Sequence, residues 1–172
     1  MNEILVVGNG GLRRGDGGFI NRHPNVAMLS YGPMIYPGIK YDAYVHNASR
    51  FDDYCVYAAG KPTFVSRPCE PSSTLPAVSS PQVVGKLRKL SPSAEVMPPA
   101  LYEDLWRECV FRPMVLTSGL SFSYWMKRKG LRVRVIGFPD RNEEAPAGYP
   151  SPQELPFFHQ LIPEQDWNPC TL

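Results

Sequence analysis

Glu3-Ile4-Leu5-Val6-Val7-Gly8-Asn9-Gly10-Gly11 is the stretch that decides the fold. Ile4 to Val7 is apolar at consecutive positions, so a strand here has two apolar faces. A strand of an antiparallel sheet with one wet face alternates, whereas one buried on both sides of a parallel sheet reads as an unbroken run. The run breaks at a glycine-rich turn, as expected where the chain leaves the carboxyl end of a strand.

Further short runs lie downstream of it. Val26 to Tyr31, Tyr41 to His46, Lys61 to Ser66 and Glu95 to Met97 read as strands, and Met114 to Thr117 as a short strand or turn. In Leu131 to Phe138, Val133 and Val135 alternate with outward Arg132 and Arg134. Helices fall between the strands. Pro81 to Leu90 carries basic Lys86, Arg88 and Lys89. Pro99 to Phe111 opens on proline and places Leu101, Leu105, Trp106 and Val110 at helical spacing. Ser118 to Lys129 ends at Gly130, and Asn47 with Ser49 looks like a helix start. This alternation predicts an α/β fold, a single Rossmann-like three-layer sandwich with a mainly parallel sheet, filling residues 1–172 as one domain. Ligands of such sheets sit beyond the carboxyl ends of the strands, so Gly8 to Gly11, Asn47, Thr117 to Gly119 and the region after Phe138 are expected to converge.

Composition narrows the classes. Hydrophobic residues make up 43% and charged residues 20%, and 18 Lys+Arg against 16 Asp+Glu leave a net charge of +2. That balance argues against a disordered chain and against a dedicated nucleic-acid binder. No run is long and apolar enough to span a bilayer, and the chain enters its first strand without a basic leader, which predicts a cytoplasmic protein. Cys55, Cys69, Cys109 and Cys170 are scattered, without zinc spacing, and are expected as reduced thiols. Fifteen of the 19 prolines fall in Pro62 to Pro99 or Pro139 to Pro169, which predicts loop-rich stretches there and a covering loop near Pro139 to Phe158.

Three features carry candidate chemistry, each beside a plainer explanation. Gly8, Asn9 and Gly10 sit in a turn whose backbone N–H groups can approach a phosphate, although neither G-x-G-x-x-G nor a P-loop is present and a turn alone explains the glycines. Thr117, Ser118 and Gly119 enter a helix whose N-terminus favours an anion, and they equally suit an N-cap. His159 precedes Glu164 by five positions; imidazole can accept a proton near neutral pH and a carboxylate can orient it, while a solvent-facing histidine is the simpler account. Asn47, at a strand end, is a further candidate contact to donor or phosphate. His23 and His46 read as structural, the basic groups Arg13-Arg14, Lys86-Arg88-Lys89, Lys127-Arg128-Lys129 and Arg132-Arg134 as solvated helix ends, and Phe122, Tyr124, Trp125, Phe157, Phe158 and Trp167 as packing.

In order, Val6-Val7-Gly8-Asn9-Gly10-Gly11-Leu12 with His23-Pro24-Asn25-Val26, then Arg112-Pro113 with Thr117-Ser118-Gly119, then Val133 to Phe138, then His159-x-x-x-x-Glu164 resembles the sialyltransferases of glycosyltransferase family 29. The resemblance implies a GT-A-like variant of the Rossmann-like sandwich and an inverting transfer of sialic acid or a related keto-sugar acid. The donor would be a CMP-sugar and the acceptor a hydroxyl of a glycan or glycolipid, with no metal and no separate cofactor. It implies His159 as general base, Glu164 as its support, and Gly8, Asn9, Gly10, Thr117, Ser118 and Gly119 as nucleotide contacts. Met28 and Ser30 stand where the family has arginine and asparagine, and Tyr149 lies in the region of a phosphate-contacting histidine that this chain lacks. The partners implied are a nucleotide-sugar and a glycan or glycolipid, with no nucleic acid, at a location that extends to the inner face of a membrane. A catalytically inactive nucleotide- or glycan-binding domain and a nucleotide-sugar hydrolase stay open as alternatives.

Overall fold

The computed structural model describes residues 2–49, 54–109, 115–139 and 154–169. Its strands are β1 (Glu3–Val7), β2 (Val26–Leu29), β3 (Ala43–His46), β4 (Thr63–Val65), β5 (Glu95–Val96) and β6 (Arg132–Ile136). They form one six-stranded sheet in the order β5-β4-β3-β2-β1-β6, and every pair is parallel. The helices are α1 (Asp16–Arg22), α2 (Gly32–Ile35), α3 (Pro81–Leu90), α4 (Pro99–Glu108), α5 (Ser118–Arg128) and α6 (Leu155–Leu161). The fold is α/β and Rossmann-like.

Period-two alternation along each strand divides the core between the two faces of the sheet. Leu5 and Val7 of β1 and Val26 and Met28 of β2 pack with Ile20 of α1. Tyr44 of β3 and Val65 of β4 continue that face onto Val83, Val84 and Leu87 of α3. The alternate residues, Ile4, Val6, Ala27, Leu29, Ala43, Val45, Val133 and Val135, face the opposite way and meet Leu105 of α4, Leu120 and Phe122 of α5 and Phe158 of α6. The unbroken apolar run of β1 thus supplies both layers.

From β1 to β5 the chain steps steadily outward, then α4 and α5 carry it back so that β6 lies beside β1. This reversal opens a crevice beyond the carboxyl ends of β1 and β6, the place where open parallel sheets receive ligands.

The proline-rich 62–99 stretch is mostly loop around β4, α3 and β5, which match the strands and helix expected there, and Pro81 and Pro99 occupy first-turn positions, where no intrahelical N–H is needed. Ser80 caps α3 by accepting from the Val83 amide at 3.5 Å. Two departures from the sequence expectations, at Asn47 and at α1 and α2, have local causes. Asn47 and Ser49 start no helix in the described residues: Asn47 Oδ1 accepts from the Ser49 amide at 3.0 Å and its hydroxyl at 2.9 Å, and the next element is the 3-10 turn Cys55–Ala58. Helices α1 and α2 were not expected, since Gly17, Gly18, Gly32 and Pro33 weaken helical propensity. Burial of Ile20 and Gly32 against the sheet side of these helices accompanies their formation despite the sequence.

Several basic side chains have partners within the fold. Lys129 pairs with Glu95 at 2.6 Å, Lys127 donates to the Leu161 carbonyl, and Arg132 pairs with Asp166 at 2.6 Å. Among the described residues no helix is long and apolar enough to cross a membrane. Cys55 and Cys109 are buried and Cys69 is half-buried, and Cys170 lies outside the described residues.

Candidate functional site

A cleft of about 150 Å³ opens at the carboxyl ends of the strands. Asn9 reaches it from the end of β1, Leu29, Ser30 and Tyr31 from β2, Asn47 from β3 and Arg67 from β4. Thr117, Ser118 and Gly119 face it from the start of α5, and Phe138 closes the side after β6. The sequence candidates Asn9, Asn47, Thr117, Ser118 and Gly119 therefore share one cavity.

Gly8 and Gly10 have another task. Gly8 N–H donates to the Ile136 carbonyl and Gly10 N–H to the Gly137 carbonyl, both at 2.8 Å, so neither amide is open to a phosphate. A Cβ on Gly8 would lie 2.6 Å from the Gly137 carbonyl oxygen, and one on Gly10 2.8 Å from it. These glycines let the exit of β1 lie against the exit of β6.

The charged group of the cleft is Arg67, which sequence reasoning did not single out. Its Nε–H donates to the Leu116 carbonyl at 3.0 Å. Among the described residues no carboxylate forms an ion pair with it. Burial lowers the pKa of its guanidinium, against the opposing influence of Tyr102 and Glu154. The Leu116 amide in turn donates to the Tyr102 hydroxyl at 2.9 Å, so the peptide leading into α5 is held from both sides.

The entrance to α5 is fixed by Glu154, which is 2% exposed and accepts from the Thr117 amide at 3.2 Å. Burial raises the Glu154 pKa, while Thr117 and Arg67 pull it back. Beside the cleft, His46 is buried and its Nδ1 accepts from the Ala48 amide at 2.8 Å, which places its proton on Nε2. Burial, reinforced by Arg67, pushes its pKa down to about 4. Ser30 and Ala48, which follow β2 and β3, both have left-handed backbone, with φ of 42° and 49°. That conformation is costly for residues with a Cβ and turns the chain sharply away from the strand ends. The Ser30 amide is held by the Val45 carbonyl at 2.6 Å.

Asn47 Oδ1 is engaged by Ser49, so its side-chain NH₂ is what it can offer a ligand. At the mouth, Tyr31 is 38% exposed and its ring lies 5.8 Å from that of Tyr54. Met28 points into the core with α1, whereas Ser30 enters the cleft.

His159 does not line the cleft. It lies in the last turn of α6 with its ring edge-on to Trp167, centroids 4.5 Å apart. Trp167 contacts Phe138 at 5.9 Å, so one aromatic ring separates His159 from the ring that walls the cleft. Glu164 is exposed and opens the 3-10 turn Glu164–Asp166, its carbonyl accepting from the Trp167 amide at 3.0 Å. Tyr149, Arg112 and Pro113 lie outside the described residues, as does most of the expected covering loop.

One guanidinium, hydroxyls from Ser30, Thr117 and Ser118, a donating Asn47 and the start of an eleven-residue helix are the equipment of an oxyanion receiver. Among the described residues no group of three or more His, Cys, Asp or Glu could hold a metal ion. No family model matches the chain, and neither curated proteins nor solved structures show a match to it. Arg67 carried one usable signal, its position just beyond a strand end, by the same rule that marked Asn47.

Proposed function

We propose that the cleft holds the phosphate of a nucleotide-sugar and that the protein is a metal-independent, inverting glycosyltransferase. The donor is a CMP-activated sialic acid or related keto-sugar acid, and the acceptor is a glycan or glycolipid hydroxyl. One observation carries the binding step: Arg67, whose guanidinium makes a single hydrogen bond among the described residues, faces the start of α5 in the crevice where β6 returns beside β1. A desolvated guanidinium that forms no ion pair among the described residues gains most from an incoming oxyanion. The choice of chemistry is supported by the order of the sequence motifs, from Val6-Val7-Gly8-Asn9 to His159-x-x-x-x-Glu164.

In the reaction the acceptor oxygen bonds to the anomeric carbon and the bond from that carbon to the donor phosphate oxygen breaks. CMP leaves with the electron pair, and the motif order assigns the proton of the acceptor hydroxyl to His159, which lies off the cleft wall behind Trp167. Such a site needs no metal, because Arg67 and the helix N-terminus meet the negative charge of the leaving phosphate.

A second reading, a nucleotide-binding domain without transferase activity, is favoured by the position of His159 behind Trp167 and Phe138 rather than on the cleft wall. Calorimetric titration with CMP, and with UMP, GMP and ADP as controls, tests the binding step common to both. Selective CMP binding is the expected result; no binding by any of the four overturns both readings.

A further inference from the structure

We infer that Glu154 is a resident counter-anion which makes the cleft selective for a singly charged oxyanion, a phosphodiester, over a doubly charged phosphomonoester. The inference rests on the proposed reading that the cleft takes a phosphate, and it adds which phosphate.

Glu154 is the acid that the fold places behind the anion-binding surface. It is 2% exposed, and its carboxylate holds the amide of Thr117, itself a cleft residue, at 3.2 Å. One N–H at the helix entrance is therefore already answered by a carboxylate. Among the described residues the other carboxylate oxygen, Oε2, is buried without a hydrogen-bond partner, so Thr117 is the residue that holds this carboxylate locally. Among the described residues the groups that interact with this carboxylate come from three directions: Arg67 after β4, Tyr102 and Cys109 from α4 and its end, and Thr117 at the start of α5. Arg67 alone among these is a cation.

Charge counting then separates ligands. Arg67 contributes one positive charge, the start of α5 roughly half of one, and Glu154 removes one. The surplus is roughly +0.5, close to what a single negative charge neutralises. A monoester above pH of about 6 carries two charges, and the second faces Glu154 in a partly dry cavity where like charges repel strongly. Binding of a dianion accordingly requires that Glu154 take up a proton. In the proposed transfer the donor is a diester and the departing nucleotide a monoester, so the same carboxylate favours donor binding and product release.

The probes are cytidine 5′-(methyl phosphate), a diester, and CMP, a monoester, titrated calorimetrically into the wild-type protein and Glu154→Gln. Wild type is expected to bind the diester about tenfold or more tightly than CMP at pH 7.5. That gap should close below pH of about 6, where CMP becomes a monoanion. Glutamine keeps the volume and the acceptor for Thr117, and the variant should lose the preference or reverse it. Equal affinity for the two probes in wild type at pH 7.5, or a preference unchanged in Glu154→Gln, overturns the inference while leaving the phosphate cleft in place. Should Glu154→Gln fail to fold, the wild-type pH series decides: a gap that persists at low pH overturns the inference. Failure of both probes to bind removes the proposed function together with it.

Discussion

Gly119 lies directly beneath the ring of Phe138: a Cβ on this glycine would sit 2.7 Å from Phe138 Cε1 and 2.9 Å from Cζ. The same ring lies 2.8 Å from where a Gly8 Cβ would be. Phe138 thus packs into notches left by two glycines distant in sequence, and its ring also meets Phe158 at 5.3 Å and Trp167 at 5.9 Å. The cleft wall and the aromatic cluster next to His159 share this one side chain.

Gly119→Ala is therefore expected to destabilise the fold by about 1–3 kcal/mol through overpacking. Gly8→Ala should cost more, because its nearest neighbour is the Gly137 backbone oxygen at 2.6 Å, which cannot swing aside. Urea denaturation of both variants checks the order. Wild-type stability in Gly119→Ala would mean that Phe138 moves freely, against the packing described.

Arg67→Met should weaken CMP binding by about ten- to a hundredfold, the range of a lost charge-assisted hydrogen bond. Arg67→Lys should recover only part of that, since an ammonium cannot keep the Leu116 carbonyl and meet an oxyanion with the same fork. Titration of each variant, with circular dichroism to verify folding, makes the comparison. Unchanged affinity in Arg67→Met would place the anion elsewhere.

His159→Ala separates the transferase from the binding domain. As the general base, its loss should lower turnover of a CMP-sugar by about two to four orders of magnitude with CMP affinity kept. Rates of donor consumption with and without acceptor provide the measurement. An active wild type with an equally active variant would remove His159 from the chemistry.

His46 gives stability a pH dependence with a definite sign. Its pKa in the folded state is about 4, below the ordinary 6.5, so the unfolded chain binds the extra proton between those values. The stabilisation is complete above pH 6.5, declines as pH falls toward 4, and then levels off. The total is on the order of 3 kcal/mol. Denaturation curves at pH 7.5, 5.5 and 4.5 should show this decline in wild type and a smaller one in His46→Asn. Parallel curves for the two proteins would refute the assignment.

Glu103 acts in the opposite part of the scale. Hydroxyls of Ser72, Thr74 and Ser73, with Arg107, hold its carboxyl down to about 2. Its contribution is present above pH 4.5 and is lost as pH falls through 2. Glu103→Gln should loosen the loop at Ser72 to Leu75, and limited proteolysis at neutral pH should cut there faster than in wild type. Equal cleavage rates would show the loop to be held by other contacts.

Much of the architecture is local enough to be read along the chain. The continuous apolar run at Ile4 to Val7 dictates burial on both faces, and from it the parallel sheet follows. Pro81 and Pro99 mark two helix starts and Gly130, with φ of 83°, marks an end, because each residue type limits its own backbone. The carboxyl-end rule likewise brought Asn9, Asn47 and Thr117 to Gly119 together before any coordinates. What only the tertiary structure decided are relationships between residues far apart in sequence. Gly8 and Gly10 read as phosphate ligands until their amides are seen committed to β6, and His159 reads as a cleft residue until Trp167 and Phe138 stand in between. Arg67 is one of many basic residues in the chain, and what marks it is the absence of an ion pair among the described residues in a desolvated cleft. Periodicity and residue type act over a few positions, whereas desolvation and the pairing of charges depend on which distant segments the fold brings within a few ångströms of one another.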